Sequence, residues 1–533
     1  MPKSILIHNN NVNLEYIPKE LEHLSFGLQT YINTNDSDIL DNDIDNYMSK
    51  FIEDIKNKGN FDLIFIKDTL SENYMDLYGL LLAYHIRLDT DKDMKYIPIV
   101  IMSDLDVYTI NLISPYAKIL FTKNIFFIKN HPDEIAKMQK KVYKNTLSKE
   151  NFQDNFLNLI DIESPASYTS HHSIANEWAI YRWADFLKLQ LSTEIQNSIY
   201  RMLYFKYLKA LHSFEDSKST MRKHPQKPKK QGDVLLIDDE YKKGWEDIFE
   251  KLLGVHDTIN FKTLKYEYKE NDCAVIFLEI TTFIAKNLPD IIILDLRLCD
   301  DDFEQEKIEN ITGLKLINKI KKINPAIQII LWTASGDSII LDEVNQLNIL
   351  GYIKKEYLGD RTADVNNSIK SLIDLVDKGL EKKYLKEVWD IQNDILKLGI
   401  SNEMNIEVKS IFEILDSQME NKFIYAMFAI FKVIEMINDY YIIDGYKKAT
   451  WKDTQEEFSD NSTKNKISLI LDKKLNLKDI ILDNNIEEII KIRNNTIHPK
   501  KGRVEAISKN HILTWFKMLE TILEKVSDDK PNY

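Results

Sequence analysis

Two short runs constrain this chain more than anything else in it: DVLLIDDE, Asp233 to Glu240, and DIIILDLRL, Asp290 to Leu298. Each is a β-branched apolar run that stops abruptly at aspartate, the pattern of a strand buried on both faces of a parallel sheet. In an open α/β sheet the chemistry gathers at the carboxyl ends of the strands. Two such strands side by side would bring Asp238, Asp239 and Asp295 into one pocket. Three crowded carboxylates repel one another unless a cation joins them. A hard, oxygen-seeking Mg²⁺ is the expected cofactor.

The same strand–helix alternation occurs twice. Residues 233–378 read as strands ending at Asp238, Asp295, Trp332 and Lys354, with helices after Gly313 and over 364–378. Residues 1–130 repeat the pattern, with strands in SILIHNN, FDLIFIKD, IPIVIMSD and KILFTKN and a helix over YGLLLAYHIR. Alternation of this kind specifies a doubly wound parallel sheet. The two units align as an internal repeat. DIIILDLRL falls on DLIFIKDTL, GLKLINKIKK on GLLLAYHIRL, IILWTAS on IVIMSDL and GYIKK on ILFTK. Asp295 then falls on Lys67, Asp238 and Asp239 on Asn9 and Asn10, and Thr333 on Ser103. The first copy keeps the apolar frame and lacks the acidic cluster.

Between the copies, residues 131–220 lose strand character and carry apolar residues at helical spacing, including the packing residues Trp178, Tyr181 and Trp183. His171 and His172 are read as a helix start. Residues 221–232, MRKHPQKPKKQG, form a basic, Pro-containing linker. From 382 to 533 the pattern is all-helical, with helices expected over 383–398, 405–441, 464–475, 486–498 and 510–526.

Composition narrows the function classes. A formal net charge of -14 makes no global bid for nucleic acid or anionic lipid, so any polyanion site is a local patch. The only cysteines, Cys273 and Cys299, sit in no metal-binding motif; they are read as free thiols of a cytoplasmic protein rather than a disulfide scaffold. No signal peptide and no membrane span are evident.

The second α/β unit resembles the receiver domain of two-component response regulators. The resemblance rests on five matches in order on the strand ends. It implies that Asp238, Asp239 and Asp295 hold the metal and that Asp295 is the phosphoacceptor. It further implies that Thr333 is the switch hydroxyl, Tyr352 the rotating aromatic and Lys355 the basic residue, with Lys354 the adjacent alternative. The fold implied is flavodoxin-like, and the partner is a sensor histidine kinase or phosphotransfer protein. The physics agrees, because a carboxylate attacks a phosphoryl group only when nearby cations offset their shared negative charge. Two departures stand out: Glu356 follows Lys355 where the family usually has proline, and the run from Cys299 to Thr312 is long and acidic for a loop. The N-terminal copy resembles a pseudo-receiver.

Near the C-terminus, IEEIIKIRNNTIHPKKGR places Asn494 beside Arg493 and His498 five residues on. This R-N-x3-H pattern in a helical context resembles the HEPN superfamily, many of whose members are metal-independent ribonucleases that dimerise around the motif. The resemblance implies catalytic roles for Arg493, Asn494 and His498 and a homodimer. A histidine near neutrality can move the 2′-hydroxyl proton, and an arginine can hold the scissile phosphate. Lys500, Lys501 and Arg503 would contact RNA.

The expected molecule is thus a pseudo-receiver, a helical connector, a receiver and a C-terminal all-α HEPN-like bundle. Phosphorylation of Asp295 would control an RNA-cutting effector, in a setting such as bacterial anti-phage defence or stress response. The alternative is a non-catalytic phospho-signalling or dimerisation protein with a degenerate HEPN bundle.

Overall fold

The computed structural model describes residues 2–9, 21–27, 41–73, 75–90, 92–141, 143, 146–164, 171–216, 227–266, 272–303, 305, 308–333, 348–355, 365–445, 448–458, 462–479, 485–497 and 506–529. It contains two parallel five-stranded sheets. In the first, β1 (Ser4–His8), β2 (Glu22–Ser25), β3 (Leu63–Lys67), β4 (Ile99–Ser103) and β5 (Ile125–Lys129) lie in the order β2-β1-β3-β4-β5. In the second, β6 (Gly232–Ile237), β7 (Ile259–Thr263), β8 (Ile291–Asp295), β9 (Gln328–Thr333) and β10 (Gly351–Lys354) repeat that order as β7-β6-β8-β9-β10. This 2-1-3-4-5 arrangement, with helices on both faces, is the receiver-type α/β fold, and its topological switch point lies between the first and third strands.

The central strands β3, β4, β8 and β9 are buried almost throughout, which is why they read as continuous apolar runs. The edge strands β2 and β7 were not legible, because EHLS and INFKT are largely polar and half-exposed.

The repeat is exact in one telling place. Gly79 and Gly313 each open the helix after the third strand, Tyr78–Arg87 and Thr312–Ile323. Gly313 N–H donates to Leu296 O at 2.9 Å, and Gly79 N–H to Asp68 O at 2.8 Å. A Cβ at either glycine would run into the backbone at the end of the strand. Only glycine permits this approach.

That anchor corrects the sequence alignment. Asp295 does correspond to Lys67. However, Ile237 pairs with Leu294 and Ile7 with Ile66. Asp238 therefore corresponds to His8 and Asp239 to Asn9, one residue earlier than expected. A strand buried on both faces has no polar–apolar period to fix its register, so the slip was invisible in the sequence. The fifth strand of the first unit also moves. KILFTKN lies mostly in a 3-10 helix, Pro115–Phe121, capped by Ser114, and the strand is IFFIK, Ile125–Lys129. Lys355 then corresponds to the exposed Asn130, since each backbone N–H reaches the last residue of the fourth strand.

The connector bridges the two units. It comprises α1 (His171–Leu187), α2 (Thr193–Arg201) and α3 (Leu203–Asp216), the last two separated at Met202 by an extended residue. The α3 helix has two apolar faces. Leu203, Tyr207 and Ala210 enter the core of the first sheet, while Phe205 and Leu208 enter that of the second.

The C-terminal helices Tyr384–Lys397, Asn402–Asp416, Lys422–Tyr441, Thr463–Lys473, Asn485–Ile497 and Lys509–Asp528 enclose one core. The single helix expected over 405–441 is two helices. The region is also not all-helical, since Ile442–Asp444, Ala449–Trp451 and Glu457–Phe458 form a small antiparallel sheet. This unit meets the second α/β unit at the amino ends of its strands. There Asp290 receives Lys386 at 2.5 Å and Lys383 at 3.1 Å. Asp416 receives Lys382 at 2.9 Å and Asn348 at 2.8 Å. No helix among the described residues is long and apolar enough to cross a membrane.

Candidate functional site

Asp295 ends β8, and Asp238 and Asp239 directly follow β6, the neighbouring strand. Sequence therefore places all three at the switch point, and the fold brings their carboxylates together. One oxygen from each lies within 4.8 Å of the others. Lys355, just past β10, reaches across two strands. Its Nζ donates to Asp238 Oδ2 at 2.8 Å and to Asp295 Oδ2 at 2.7 Å, and all three side chains are fully buried. The basic residue is thus Lys355 and not Lys354.

The charges do not balance. Burial raises the Asp238 carboxyl above its ordinary value, and Lys355 opposes that rise. Asp295 behaves in the same way. Burial pulls the Lys355 ammonium down, but Asp238, Asp295 and Asp239 outweigh it and hold the group protonated. Asp239 is raised well above the usual carboxylate range by burial and by its acidic neighbours Asp295, Asp238 and Glu240. Its Oδ1 is buried without a hydrogen-bond partner. Three carboxylates and one ammonium leave a net deficit of positive charge, and the orphaned oxygen points to where it is felt. An all-oxygen donor set of this kind fits a hard divalent cation such as Mg²⁺.

Thr333 is buried at the end of β9, and its carbonyl accepts the Lys355 N–H at 2.7 Å. Tyr352 is exposed on β10.

An aromatic cluster underlies the pocket. Trp332, the residue before Thr333, packs edge-on against Trp183 of α1, Trp245 and Phe249. Trp183 Nε1 donates to the backbone carbonyl of Lys355 at 3.2 Å. Asn176 of α1 accepts the Trp245 Nε1–H at 2.8 Å and donates to Glu240, whose N–H donates to Asp238 at 2.9 Å. The connector thus touches the site through Trp183 and Asn176. The run of tryptophans in 171–189 marked packing, but nothing in it named this partner.

Among the described residues, the first unit has no such acidic cluster. His8, Asn9, Lys67, Ser103 and Asn130 occupy the equivalent places. Burial holds the His8 imidazole below its ordinary value, and Lys67 and His23 push it lower still. The buried acid at this end of the strands, Asp68, is already engaged: it accepts from Thr69 N at 2.8 Å, Thr69 Oγ1 at 3.0 Å and the Ser103 hydroxyl. None of those five residues is a carboxylate, and the cationic Lys67 stands where the second unit has Asp295, a poor match to a hard divalent cation.

In the C-terminal unit, Arg493 and Asn494 lie near the end of the helix Asn485–Ile497. The Arg493 guanidinium stacks over Phe431 at 5.0 Å and donates to Asn494 Oδ1 at 3.0 Å. His498, Lys500, Lys501 and Arg503 lie outside the described residues.

The cysteines overturn the expectation of free thiols: Cys273 and Cys299 are joined as a disulfide. They lie 26 residues apart on different elements, so only the tertiary fold could pair them.

Residues 11–128 match the family model of the inactive receiver domain. The chain is similar to the signal receiver domain of a Vibrio parahaemolyticus protein described as a LuxO repressor, at 16% identity, covering 30% of this chain and 96% of that one, with a TM-score of 0.21. It is similar also to the receiver domain of a modulated diguanylate cyclase from Desulfovibrio desulfuricans G20, at 16% identity, 29% and 98% coverage and a TM-score of 0.20. A LuxR-family response regulator from Aurantimonas sp. SI85-9A1 matches at 16% identity, 29% and 98% coverage and a TM-score of 0.19. No curated protein matches the chain.

Proposed function

We propose that the second α/β unit is a phosphorylatable receiver acting in two-component-type signalling, with the first as its inactive counterpart. The observation that carries this reading is Lys355 bridging Asp238 and Asp295 while Asp239 keeps an unpartnered buried oxygen. Asp295 is the nucleophile toward a phosphoryl group delivered by a histidine kinase or phosphotransfer protein. Asp238, Asp239 and Asp295 would hold Mg²⁺, which supplies charge neutralisation at the phosphoryl oxygens. Lys355 already sits where it can offset the same charge. Once Asp295 carries phosphate, the ammonium and the Thr333 hydroxyl have a new acceptor. Movement of Lys355 pulls on the carbonyl held by Trp183, and movement near Thr333 shifts Trp332 against the same ring. The connector is the first element to respond.

The output is the C-terminal helical unit, read as a HEPN-like, metal-independent ribonuclease acting as a homodimer. Arg493 supports this reading. Its guanidinium is held by Phe431 and Asn494 near a helix end rather than spent on capping carbonyls. The helix Val365–Glu381 leads from the pocket end of the second sheet to the bundle at the other end, giving a continuous route. The test is to treat the full chain with acetyl phosphate and Mg²⁺ and to assay RNA cleavage. Wild type should take one phosphoryl group and change its cleavage rate, Asp295→Asn should do neither, and Arg493→Ala should be phosphorylated yet leave RNA intact. Phosphorylation without any Arg493-dependent cleavage would favour the non-catalytic signalling reading.

A further inference from the structure

The chain has two cysteines in 533 residues, and they meet beside the acceptor loop. Cys299 lies four residues past Asp295, and Cys273 is the first residue of the helix Cys273–Asn287. Their Cα atoms are 5.6 Å apart. Cys299 is buried, whereas Cys273 is partly exposed.

The surroundings are built for both redox states. Asp302, itself buried, closes the base of the acidic loop. Its Oδ2 accepts Leu298 N–H at 2.9 Å, and its Oδ1 accepts the Thr312 N–H and hydroxyl, each at 2.8 Å. The disulfide adds a covalent tie from this base to the helix. With the sulfurs joined, Cys299 Sγ lies 3.3 Å from Thr312 Oγ1 and Cys273 Sγ lies 3.7 Å from the Asp301 carboxylate, partners at hand for the thiols that reduction would release. Cys273, Cys299 and Asp302 are close enough to share a metal. The set is poor for one, because both Asp302 oxygens are already occupied and only two soft ligands remain.

We propose that Cys273–Cys299 is a reversible redox switch that sets the freedom of the segment 296–303 following Asp295. Through that segment it sets how readily Asp295 accepts a phosphoryl group; this second half rests on the receiver reading. Oxidation joins the two sulfurs as a peroxide takes two electrons: the O–O bond breaks, and both thiol protons leave in water. In the reverse direction, a dithiol reductant attacks the exposed Cys273 sulfur. Cys299 departs as a thiolate and is protonated; the reductant's second thiol then attacks the mixed disulfide, expelling Cys273 as a thiolate that is protonated in turn, and the reductant is left as its own disulfide. The tied segment 296–303 keeps one geometry, while the released segment can move aside for a phosphodonor.

The experiment uses the full chain, oxidised with hydrogen peroxide or reduced with dithiothreitol, beside Cys273→Ser and Cys299→Ser. Thiol titration should find both thiols only after reduction. Amide exchange at Leu298 and Thr312 should be about tenfold faster in the reduced chain and in Cys273→Ser than in the oxidised chain. Phosphoryl uptake from acetyl phosphate should be about threefold faster in the same two samples. Two free thiols persisting after peroxide, or equal amide exchange in the two states, would overturn the switch. A loop that loosens on reduction with equal or slower uptake would overturn the gating. A loop that loosens in a chain taking no phosphoryl group in either state would uphold the switch and refute the receiver reading instead.

Discussion

The two α/β units share strand order, the glycine approach after the third strand and the backbone bond from the residue past the fifth strand to the end of the fourth. They differ at five strand-end positions. In the second unit Asp238, Asp239, Asp295, Thr333 and Lys355 make a buried, charge-imbalanced pocket. In the first, His8, Asn9, Lys67, Ser103 and Asn130 take those places, and the nearby Asp68 is already bonded by Thr69 and by Ser103 of the neighbouring strand. The frame and the chemistry are therefore separable. The apolar frame alone maintains the fold, and a handful of polar residues at the strand ends decides whether it carries a site.

The comparison is most sharply broken by Asp295→Asn. All phosphoryl incorporation should disappear, a loss of at least about 100-fold by mass spectrometry of acetyl-phosphate-treated chain. Any remaining label found in residues 2–141 would refute the division of labour.

Stability should separate the units next. Lys355→Met leaves Asp238 and Asp295 buried and unpaired, and should cost about 3–5 kcal/mol in urea unfolding. Asn130→Met, the matching change in the first unit, is exposed and should stay within about 0.5 kcal/mol of wild type. Trp183→Ala, which empties the aromatic cluster beneath the pocket, should also cost about 3–5 kcal/mol. Trp183→Phe should restore much of that stability while still losing the bond to the Lys355 carbonyl.

Acidity distinguishes the units in opposite ways. Asp239 is held well above the ordinary carboxylate range, so a proton competes with any cation there. Mg²⁺ affinity, followed by tryptophan fluorescence, should rise with pH as Asp239 gives up its proton, and Asp239→Asn should flatten that rise.

In the first unit the relevant group is His85, buried between Asp45 at 2.8 Å and Lys206 of the connector at 3.2 Å, with Asp89 and Lys56 nearby. Burial and Lys206 lower its pKa from the ordinary 6.5, against the pull of Asp45. A depressed histidine is neutral when folded. Stability is thus retained above the ordinary pKa and lost as pH falls below it toward the folded value. The expected loss is about 1 kcal/mol per pH unit below 6.5, read from urea midpoints, with a smaller slope in His85→Gln.

Much of this was legible before any coordinates. Four-residue apolar runs closed by aspartate could be little else than buried parallel strands, and the candidate site followed from the switch-point rule alone. What the pattern could not supply was register. DIIILDLRL and SILIHNN have no alternation to lock them, so the first unit's equivalents of Asp238 and Asp239 were placed one residue late. KILFTKN and IFFIK are equally apolar, and only the Ser114-capped 3-10 helix shows which one is the strand. The edge strands EHLS and INFKT lack the apolar signal because one side faces water. Helix breaks at Met202 and over 417–421 lay inside unbroken helical periodicity.

The sequence by itself determined the repeated α/β frame, the acidic trio and Lys355, because strand burial and strand-end chemistry are written locally, within a few residues. The tertiary structure alone decided three things. Trp183 lies under the pocket, the two apolar faces of Leu203–Asp216 join the sheets, and Cys273 meets Cys299. Each depends on contacts between segments far apart in the chain, and such contacts are set by how whole layers pack rather than by any pattern along one of them.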